Sequence, residues 1–179
     1  MEYRVYLRAL EPEDYKTSIK WRQNNIIWQQ LGGTKYYVSE SCEKQWVEKA
    51  IADTKAIRLA VCLKENDTYI GNVYITDINP NFRSGNSQVL IGNTDYWGQG
   101  YAREAYLQLL DYAFNERGLH RVFAHILEDN IASIKMHSKC GFKTEGILRE
   151  SIFKQGVWKN QVLMSILEHE FREMINREA

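Results

Sequence analysis

Hydrophobic residues recur along the chain with two different periods. The first is the two-residue alternation typical of strands. It predicts seven strands, over the stretches YRVYLRAL, AIRLAVCL, YIGNVYITDI, NSQVLIG, RVFAHILE, FKTEGILRESIF and WKNQVLMSIL. The second to fourth of these are joined by the short turns KENDT and NPNFRSG, which predict an antiparallel meander. The last two are joined through Lys154-Gln155-Gly156, which predicts a hairpin.

The second period, of about 3.6 residues, indicates helices between these strands. Helices are predicted from the EPED start through Trp21, from Ser39 or Ser41 to Ala52, from just after Trp97 to a left-handed cap at Gly118, from Asn130 to Gly141, and over the charged C-terminal stretch EHEFREMINRE. The stretch WRQNNIIWQQLGGTKYY has no clear period, and its two adjacent glycines signal a break.

The order of these elements restricts the topology. A strand, a helix and a second strand follow one another over residues 87–128, so the two strands must be parallel if they share a sheet. The remaining strands form an antiparallel sheet. We therefore predict an α+β fold with a largely antiparallel sheet of about six to seven strands and one central parallel pair. Ligands favour the point where the strand order changes in this way.

Composition and charge narrow the class of protein. The chain has 179 residues, of which 44% are hydrophobic and 26% charged, which is typical of one globular domain. Lys and Arg balance Asp and Glu at 23 each, which gives no indication of a nucleic-acid or membrane partner. The three cysteines are widely spaced, lack zinc-site spacing and suit a reducing compartment. With no signal-type or membrane-spanning run, the sequence predicts a cytoplasmic protein without a metal site.

The stretch YWGQGYAREA places two glycines directly before a predicted helix. The first turn of a helix has backbone N–H groups without intrahelical partners, and a phosphate can bind them. Gly98 and Gly100 would let that backbone approach an anion closely, although glycines before a helix also serve as plain turn residues. Arg103 stands where a dinucleotide fingerprint needs its third glycine, and the Gly-Lys-Ser/Thr ending of a phosphate loop is missing.

A second motif follows one strand later, in NIASIKMHSKCGF, residues 130–142. Together the two motifs resemble the signature segments of the GNAT superfamily of acyl-CoA-dependent N-acetyltransferases, and the order of predicted strands matches along nearly the whole chain. The residues of these motifs are most similar to those of the branch that holds ribosomal-protein N-terminal acetyltransferases and spermidine N-acetyltransferases. The resemblance implies the acyl-CoA N-acyltransferase fold with helices on both faces of the sheet, one domain over residues 1–179, and acetyl-CoA as cofactor.

The resemblance also implies which residues bind that cofactor. Backbone N–H groups of the loop would hold the pyrophosphate, the preceding strand would hold the pantetheine arm and the acetyl carbonyl, and the start of the next helix would complete the site. The residues are Trp97, Gly98, Gln99, Gly100, Tyr101 and Ala102 in the loop, Leu90 and Ile91 on the strand, and Asn130 and Ser133 on the helix. Asn130 is equally suited to be a helix N-cap, and Arg103 or Lys135 could offset phosphate charge.

Two expected catalytic groups differ from the family pattern. His137 stands where relatives often have the tyrosine that protonates the leaving thiolate; imidazole can also donate a proton, or the ring can simply pack on its helix. Asn86 stands where relatives often have a glutamate base, and an amide cannot take a proton. The base is then Asp77, Glu150 or a water chain, or the amine arrives already deprotonated.

The acceptor is expected to bind between the first two helices, their connecting loop and the last hairpin. Aromatic and polar side chains lie along these segments at Trp21, Arg22, Trp28, Tyr36, Tyr37 and Trp158, with core packing favoured for Trp21. The predicted activity is acetyl transfer to a protein N-terminus or a small amine by direct attack in a ternary complex. Spermidine, an amino-sugar or an antibiotic amine are alternative acceptors, a non-catalytic acyl-CoA sensor is the alternative of another class, and a homodimer or larger homo-oligomer is compatible with the sequence.

Overall fold

All seven predicted strands lie in one sheet. The computed structural model describes residues 2–178. The strands are β1 (Val5–Ala9), β2 (Ile57–Leu63), β3 (Tyr69–Asn79), β4 (Ser84–Ile91), β5 (Arg121–Leu127), β6 (Lys143–Lys154) and β7 (Val157–Leu167). They are arranged in the order β1-β2-β3-β4-β5-β7-β6. The predicted meander is β2-β3-β4, and the predicted C-terminal hairpin is β6-β7, so both are confirmed.

Six α-helices connect or follow the strands. They are α1 (Tyr15–Gln23), α2 (Asn25–Gln30), α3 (Glu40–Ala52), α4 (Tyr101–Asp111), α5 (Ile131–Lys139) and α6 (Glu168–Glu178). The unassigned stretch contains α2, which the sequence did not reveal because it is only six residues long. Asn24 caps it by accepting a hydrogen bond from the Ile26 N–H. Within residues 2–178, no helix is both long and apolar enough to cross a membrane.

The predicted parallel pair is β4 and β5, and it is short. Only Ser84, Gly85 and Asn86 of β4 pair with Arg121, Val122 and Phe123 of β5. Beyond Asn86, β4 continues with β3 as its partner, and β5 continues with β7. The two strands therefore separate over their C-terminal halves. The predicted fold is confirmed, with seven strands.

Helices cover both faces of the sheet, because successive strand residues point to opposite sides. On β2, Ala60 and Cys62 pack in a small cluster with Ala50 of α3. Their neighbours Val61 and Leu63 belong instead to the main core, which is built around α4. This alternation places α3 and α4 on opposite faces of the sheet.

The close pairing of β3 and β4 depends on Gly71. A Cβ added there would lie 2.2 Å from the Leu90 carbonyl oxygen, a backbone atom that cannot rotate away. We expect Gly71→Ala to lower the free energy of unfolding by about 1–3 kcal/mol, the usual cost of overpacking. Urea unfolding measures this, and Gly146→Ala on β6 is the matched control, since its Cβ would meet nothing within 4 Å. Equal stability of the two variants would contradict the close contact.

Candidate active site

Residues 97–102 (the glycine loop) lead the chain from the end of β4 into the first residues of α4. Gly98 and Gly100 have φ angles of +73° and +90°, a left-handed conformation that favours glycine. Gly100 immediately precedes α4, so the N–H groups of the first helical turn have no intrahelical partner. Chain neighbours aside, no described heavy atom lies within 4 Å of the position of a Cβ on Gly98. The loop backbone is therefore open to a ligand.

The side chains of the glycine loop are directed away from this open backbone. Trp97 Nε1 donates to the Ile91 carbonyl at 2.7 Å, which ties the loop to the last residue of β4. Gln99 Nε2 donates back to the Asp95 carbonyl at 2.6 Å. Trp97 thus positions the loop through its indole as well as through its backbone.

Arg4 holds the glycine loop from outside, a contact that the sequence did not predict. Its guanidinium donates to the Gln99 carbonyl at 2.7 Å, forms an ion pair with Glu104 at 2.5 Å and lies 4.4 Å from the centre of the Tyr101 ring. Its backbone N–H also donates to the Glu104 carboxylate, at 2.7 Å. Glu104, the acidic residue in the first turn of α4, was the one sequence feature at this place that suits a cationic partner.

A buried pair of hydroxyls lies where β4 and β5 separate. Ser87, the first residue of β4 beyond the parallel pairing, donates through Oγ to the Phe123 carbonyl at 3.0 Å. The same Oγ is hydrogen-bonded to the hydroxyl of Tyr106, a fully buried residue of α4. Burial raises the pKa of the Tyr106 hydroxyl well above its ordinary value, so it remains protonated and able to donate. Sequence analysis did not identify these two residues, which look like ordinary strand and helix positions.

At the start of α5, Asn130 has the capping role that was one of its two predicted roles. Its Oδ1 accepts from the Ser133 N–H at 3.1 Å, and its Nδ2 donates to the Gln30 carbonyl of α2 at 2.9 Å. Asn130 therefore joins α5 to the end of α2. The predicted cofactor contacts of Asn130 and Ser133 stay predictions. Arg103 donates to the Lys139 carbonyl at 3.2 Å, and Lys135 is exposed.

His137 lies in the core, only 2% exposed. Its ring packs edge-on against Tyr106 and Phe142, with centroids 4.9 and 5.1 Å away. Nδ1 is 2.8 Å from the Ser133 carbonyl, and because a carbonyl can only accept, Nδ1 carries the proton. Burial lowers the pKa of His137 to about 4. At neutral pH the ring is thus neutral with a lone pair on Nε2, which has no hydrogen-bond partner among the described residues.

Asn86, in the position of the family glutamate, carries a second buried and unpartnered polar atom. Its Oδ1 has no hydrogen-bond partner among the described residues. The alternative bases Asp77 and Glu150 both have positive φ angles, +53° and +48°, and both lie where strand pairing is irregular, in β3 and β6. Such backbone positions are uncommon for residues other than glycine. No contact of Asp77 or Glu150 identifies either one as the base.

On the acceptor side, the aromatic residues divide into a buried and an exposed group. Trp21 is 7% exposed and packs so tightly on Gly92, at the end of β4, that a Cβ there would overlap its ring; the predicted core packing is confirmed. Trp28 is equally buried. Tyr36, Tyr37 and Trp158 are exposed. Arg22 pairs with Glu43, which is also bound by Ser18 and fully buried, although the sequence gave no sign that this acid lies inside.

Comparison with known proteins agrees with this architecture. Residues 4–143 match the model of the acetyltransferase (GNAT) domain family. Spermidine N(1)-acetyltransferase of Vibrio cholerae is 29% identical over 96% of this chain and 97% of its own. Probable N-acetyltransferase YjcK of Bacillus subtilis is 27% identical over 91% and 93%. The crystal structure of the Vibrio cholerae spermidine N-acetyltransferase with CoA and spermine superposes with a TM-score of 0.87, at 28% identity over 94% and 98% of the two chains.

The family match covers well over half of the chain, so the protein belongs to the GNAT acetyltransferase family. It is accordingly an acetyl-CoA-dependent N-acetyltransferase, as the two sequence motifs predicted. The open backbone at Gly98 and the separated strands beside it fit a cofactor whose pyrophosphate and peptide-like arm both bind backbone groups.

The glycine loop yields a first prediction for the site. Valine cannot easily adopt the φ of +90° at Gly100, so Gly100→Val should distort the loop backbone and abolish binding of coenzyme A. Gly118→Val is the matched control, because it introduces comparable strain at a φ of +63° beyond the far end of the same helix. Calorimetric titration with coenzyme A measures the loss, and circular dichroism verifies the fold. Tight binding by a folded Gly100→Val variant would refute the assignment of the loop.

His137 predicts a pH dependence of stability. The folded protein keeps the ring neutral down to about pH 4, whereas the unfolded chain takes up a proton near pH 6.5. Stability is therefore fully present above pH 6.5 and declines as the pH falls toward 4, by about 3 kcal/mol for this one group. Urea unfolding between pH 7 and 4 should show this decline, and His137→Gln, which does not titrate, should lack that part of it. Identical slopes for both proteins would show that His137 is not held neutral.

Proposed function

We propose that this chain transfers the acetyl group of acetyl-CoA to a primary amine by direct attack in a ternary complex. The observation that carries the proposal is the open glycine loop placed at the end of β4, beside the strand edge that β5 leaves unpaired after Asn86. Acetyl-CoA supplies the activated thioester. The protein holds it in place and orients it toward the amine, and the gain from such positioning is large.

Each segment of the site binds a different portion of acetyl-CoA. Backbone N–H groups of the glycine loop bind the pyrophosphate, aided by the dipole of α4. Leu90 and Ile91 of β4 bind the pantetheine arm through backbone groups that β5 does not use. Asn130 and Ser133 bind the cofactor from the start of α5. A backbone N–H of β4 polarises the acetyl carbonyl, as an oxyanion-binding donor does.

The surroundings of His137 support a modified version of its predicted role as the acid that protonates the leaving thiolate. The resting ring is neutral and its Nδ1–H is bound to Ser133, so it does not hold a spare proton for the sulfur. We propose that Nε2 takes up a proton that the attacking nitrogen loses and passes it to the leaving thiolate. Because burial disfavours the imidazolium, the charge is transient. Asn86 cannot act as the base, so the amine either loses its proton to Asp77, Glu150 or a water chain or reaches the site in its neutral form.

The acceptor is proposed as a small amine or a protein N-terminus. The relatives named as spermidine N-acetyltransferases favour a small amine, and an amino-sugar or an antibiotic amine are further candidates. The alternative of another class, an acyl-CoA sensor without turnover, is supported by the replacement of both family catalytic groups, at Asn86 and His137. A cytoplasmic location, a homo-oligomer and a single domain over residues 1–179 stay predictions.

The function is tested by mixing the purified protein with acetyl-CoA and measuring release of free thiol. The amines are an N-terminal peptide, spermidine, glucosamine and an aminoglycoside. Transfer predicts thiol release that depends on one of these amines and is lost in Gly100→Val. Tight binding of acetyl-CoA without amine-dependent release from any of them would favour the sensor.

His137→Ala separates catalysis from packing. If Nε2 relays the proton, the variant should lose about 100-fold or more in turnover, the usual size of acid–base contributions, with little change in affinity for coenzyme A. Steady-state kinetics and calorimetric titration with coenzyme A provide the two numbers. Unchanged turnover would mean that the ring only packs against Tyr106 and Phe142.

A further inference from the structure

A cleft of about 490 Å³ lies between α2, the loop that follows it and the turn of the β6–β7 hairpin. Its volume is in the range of small-molecule sites. Trp28 and Phe153 provide aromatic surface, Asn25 and Thr34 provide polar groups, and Lys35 and Lys154 provide charge. No Asp or Glu is among the described residues that line it. The cleft is thus positively charged in a chain whose net charge is zero.

Lys154 is the unusual residue of this cleft, because its side chain is buried, with 7% exposed. Its Nζ donates to the carbonyls of Trp28 and Leu31, at the C-terminal end of α2. An ammonium has three N–H donors, so one remains for a ligand. Burial lowers the pKa of Lys154, and the nearby Lys159 lowers it further, while Asp129 opposes the shift. A bound anion would relieve this electrostatic cost.

Lys35 brings the second charge, from the loop side of the cleft. Its Nζ donates to Asn25 Oδ1, which positions the ammonium without neutralising it. Two ammonium groups with amide and hydroxyl neighbours form a site for a carboxylate or a phosphate. A polyamine would instead need carboxylates to pair its ammonium groups. Two acids of neighbouring elements already have partners within the protein. Glu43 is bound by Ser18 and Arg22, and Asp129 is paired with Lys159.

Two contacts connect the walls of the cleft to α5 and to β7. Trp28 in its wall is two residues from Gln30, whose carbonyl binds Asn130 at the start of α5. The following loop contacts β7, since a Cβ on Gly32 would lie 3.2 Å from Gln161 Nε2, and Gln161 pairs with Leu127 at the end of β5. These contacts connect the walls of the cleft to the start of α5 and to the C-terminal end of β5, the strand that separates from β4.

We infer that this cleft binds an anionic group of the acceptor, so that the preferred substrate is a primary amine that also carries a carboxylate or a phosphate. The inference rests on the proposed function, which it makes more specific. It sets this chain apart from its relatives named for spermidine, because a second ammonium group would enter a cleft lined by two others.

Matched pairs of amines test the inference, because the members of each pair differ only in the anionic group. Glucosamine 6-phosphate is compared with glucosamine, and a dipeptide with its C-terminal amide, with spermidine as the polyamine. The anionic member of at least one pair should have a kcat/KM about tenfold higher, the effect of one charge-assisted hydrogen bond. The first pair reports on phosphate and the second on carboxylate.

Charge variants locate the effect. Lys35→Glu should remove the preference for the anionic member and raise kcat/KM for spermidine, while Lys35→Gln should lie between. Lys35 is exposed, so neither variant should affect folding. Lys55→Glu, an equal charge change at an exposed position in the turn before β2, should leave the preference unchanged.

The outcomes separate this inference from the proposed function. Turnover that is equal within both pairs, or highest with spermidine and insensitive to Lys35→Glu, would overturn the inference and leave acetyl transfer intact. Absence of turnover with every amine would refute the proposed function instead. In that case calorimetric titration of the coenzyme A complex with glucosamine 6-phosphate and glucosamine decides the inference, and equal or absent binding of the two would refute it.

Discussion

The hydrogen bond between Ser87 and the Phe123 carbonyl is the interaction on which the site depends. Parallel strands are held by regularly spaced backbone hydrogen bonds, and a side-chain hydroxyl at the first unpaired residue of β4 marks where that ladder ends. Tyr106 supports the hydroxyl from α4. Because burial keeps the tyrosine neutral, the pair is stable in the core. One serine and one tyrosine thus stand where a continuous sheet becomes a groove with free backbone groups.

The glycine loop shows how a flexible sequence acquires a fixed shape. Two glycines permit the left-handed turns, but glycine also gives the unfolded chain more freedom, which has to be compensated. The hydrogen bond from Trp97 to the Ile91 carbonyl restrains the loop on its inner side. Arg4 restrains it on the outer side through hydrogen bonds to Gln99 and Glu104. The backbone is therefore preorganised before any ligand binds, and less free energy is lost when an anion is bound.

The sequence was sufficient for the elements that depend on local pattern. Alternation and turn residues predicted all seven strands and the position of the glycine loop, because each depends on a short local pattern, and the order of the elements then predicted the parallel crossover. It was not sufficient for contacts between distant segments. Arg4 lies 100 positions from Glu104, and Lys154 lies more than 120 from Trp28 and Leu31, so no local period reveals either contact. The burial of Glu43 and the neutral state of His137 were equally hidden, since both follow from packing.

The bonds of Arg4 join the N-terminal edge of the sheet to the glycine loop. The strand that follows Arg4 has a neighbour on one side only, and such edge strands open more readily than central ones. A ligand that binds the folded loop but not the open form stabilises the whole linked unit, by a free energy that rises with the logarithm of its concentration. On the proposed assignment of the loop, bound cofactor would therefore make opening of the N-terminal edge less frequent.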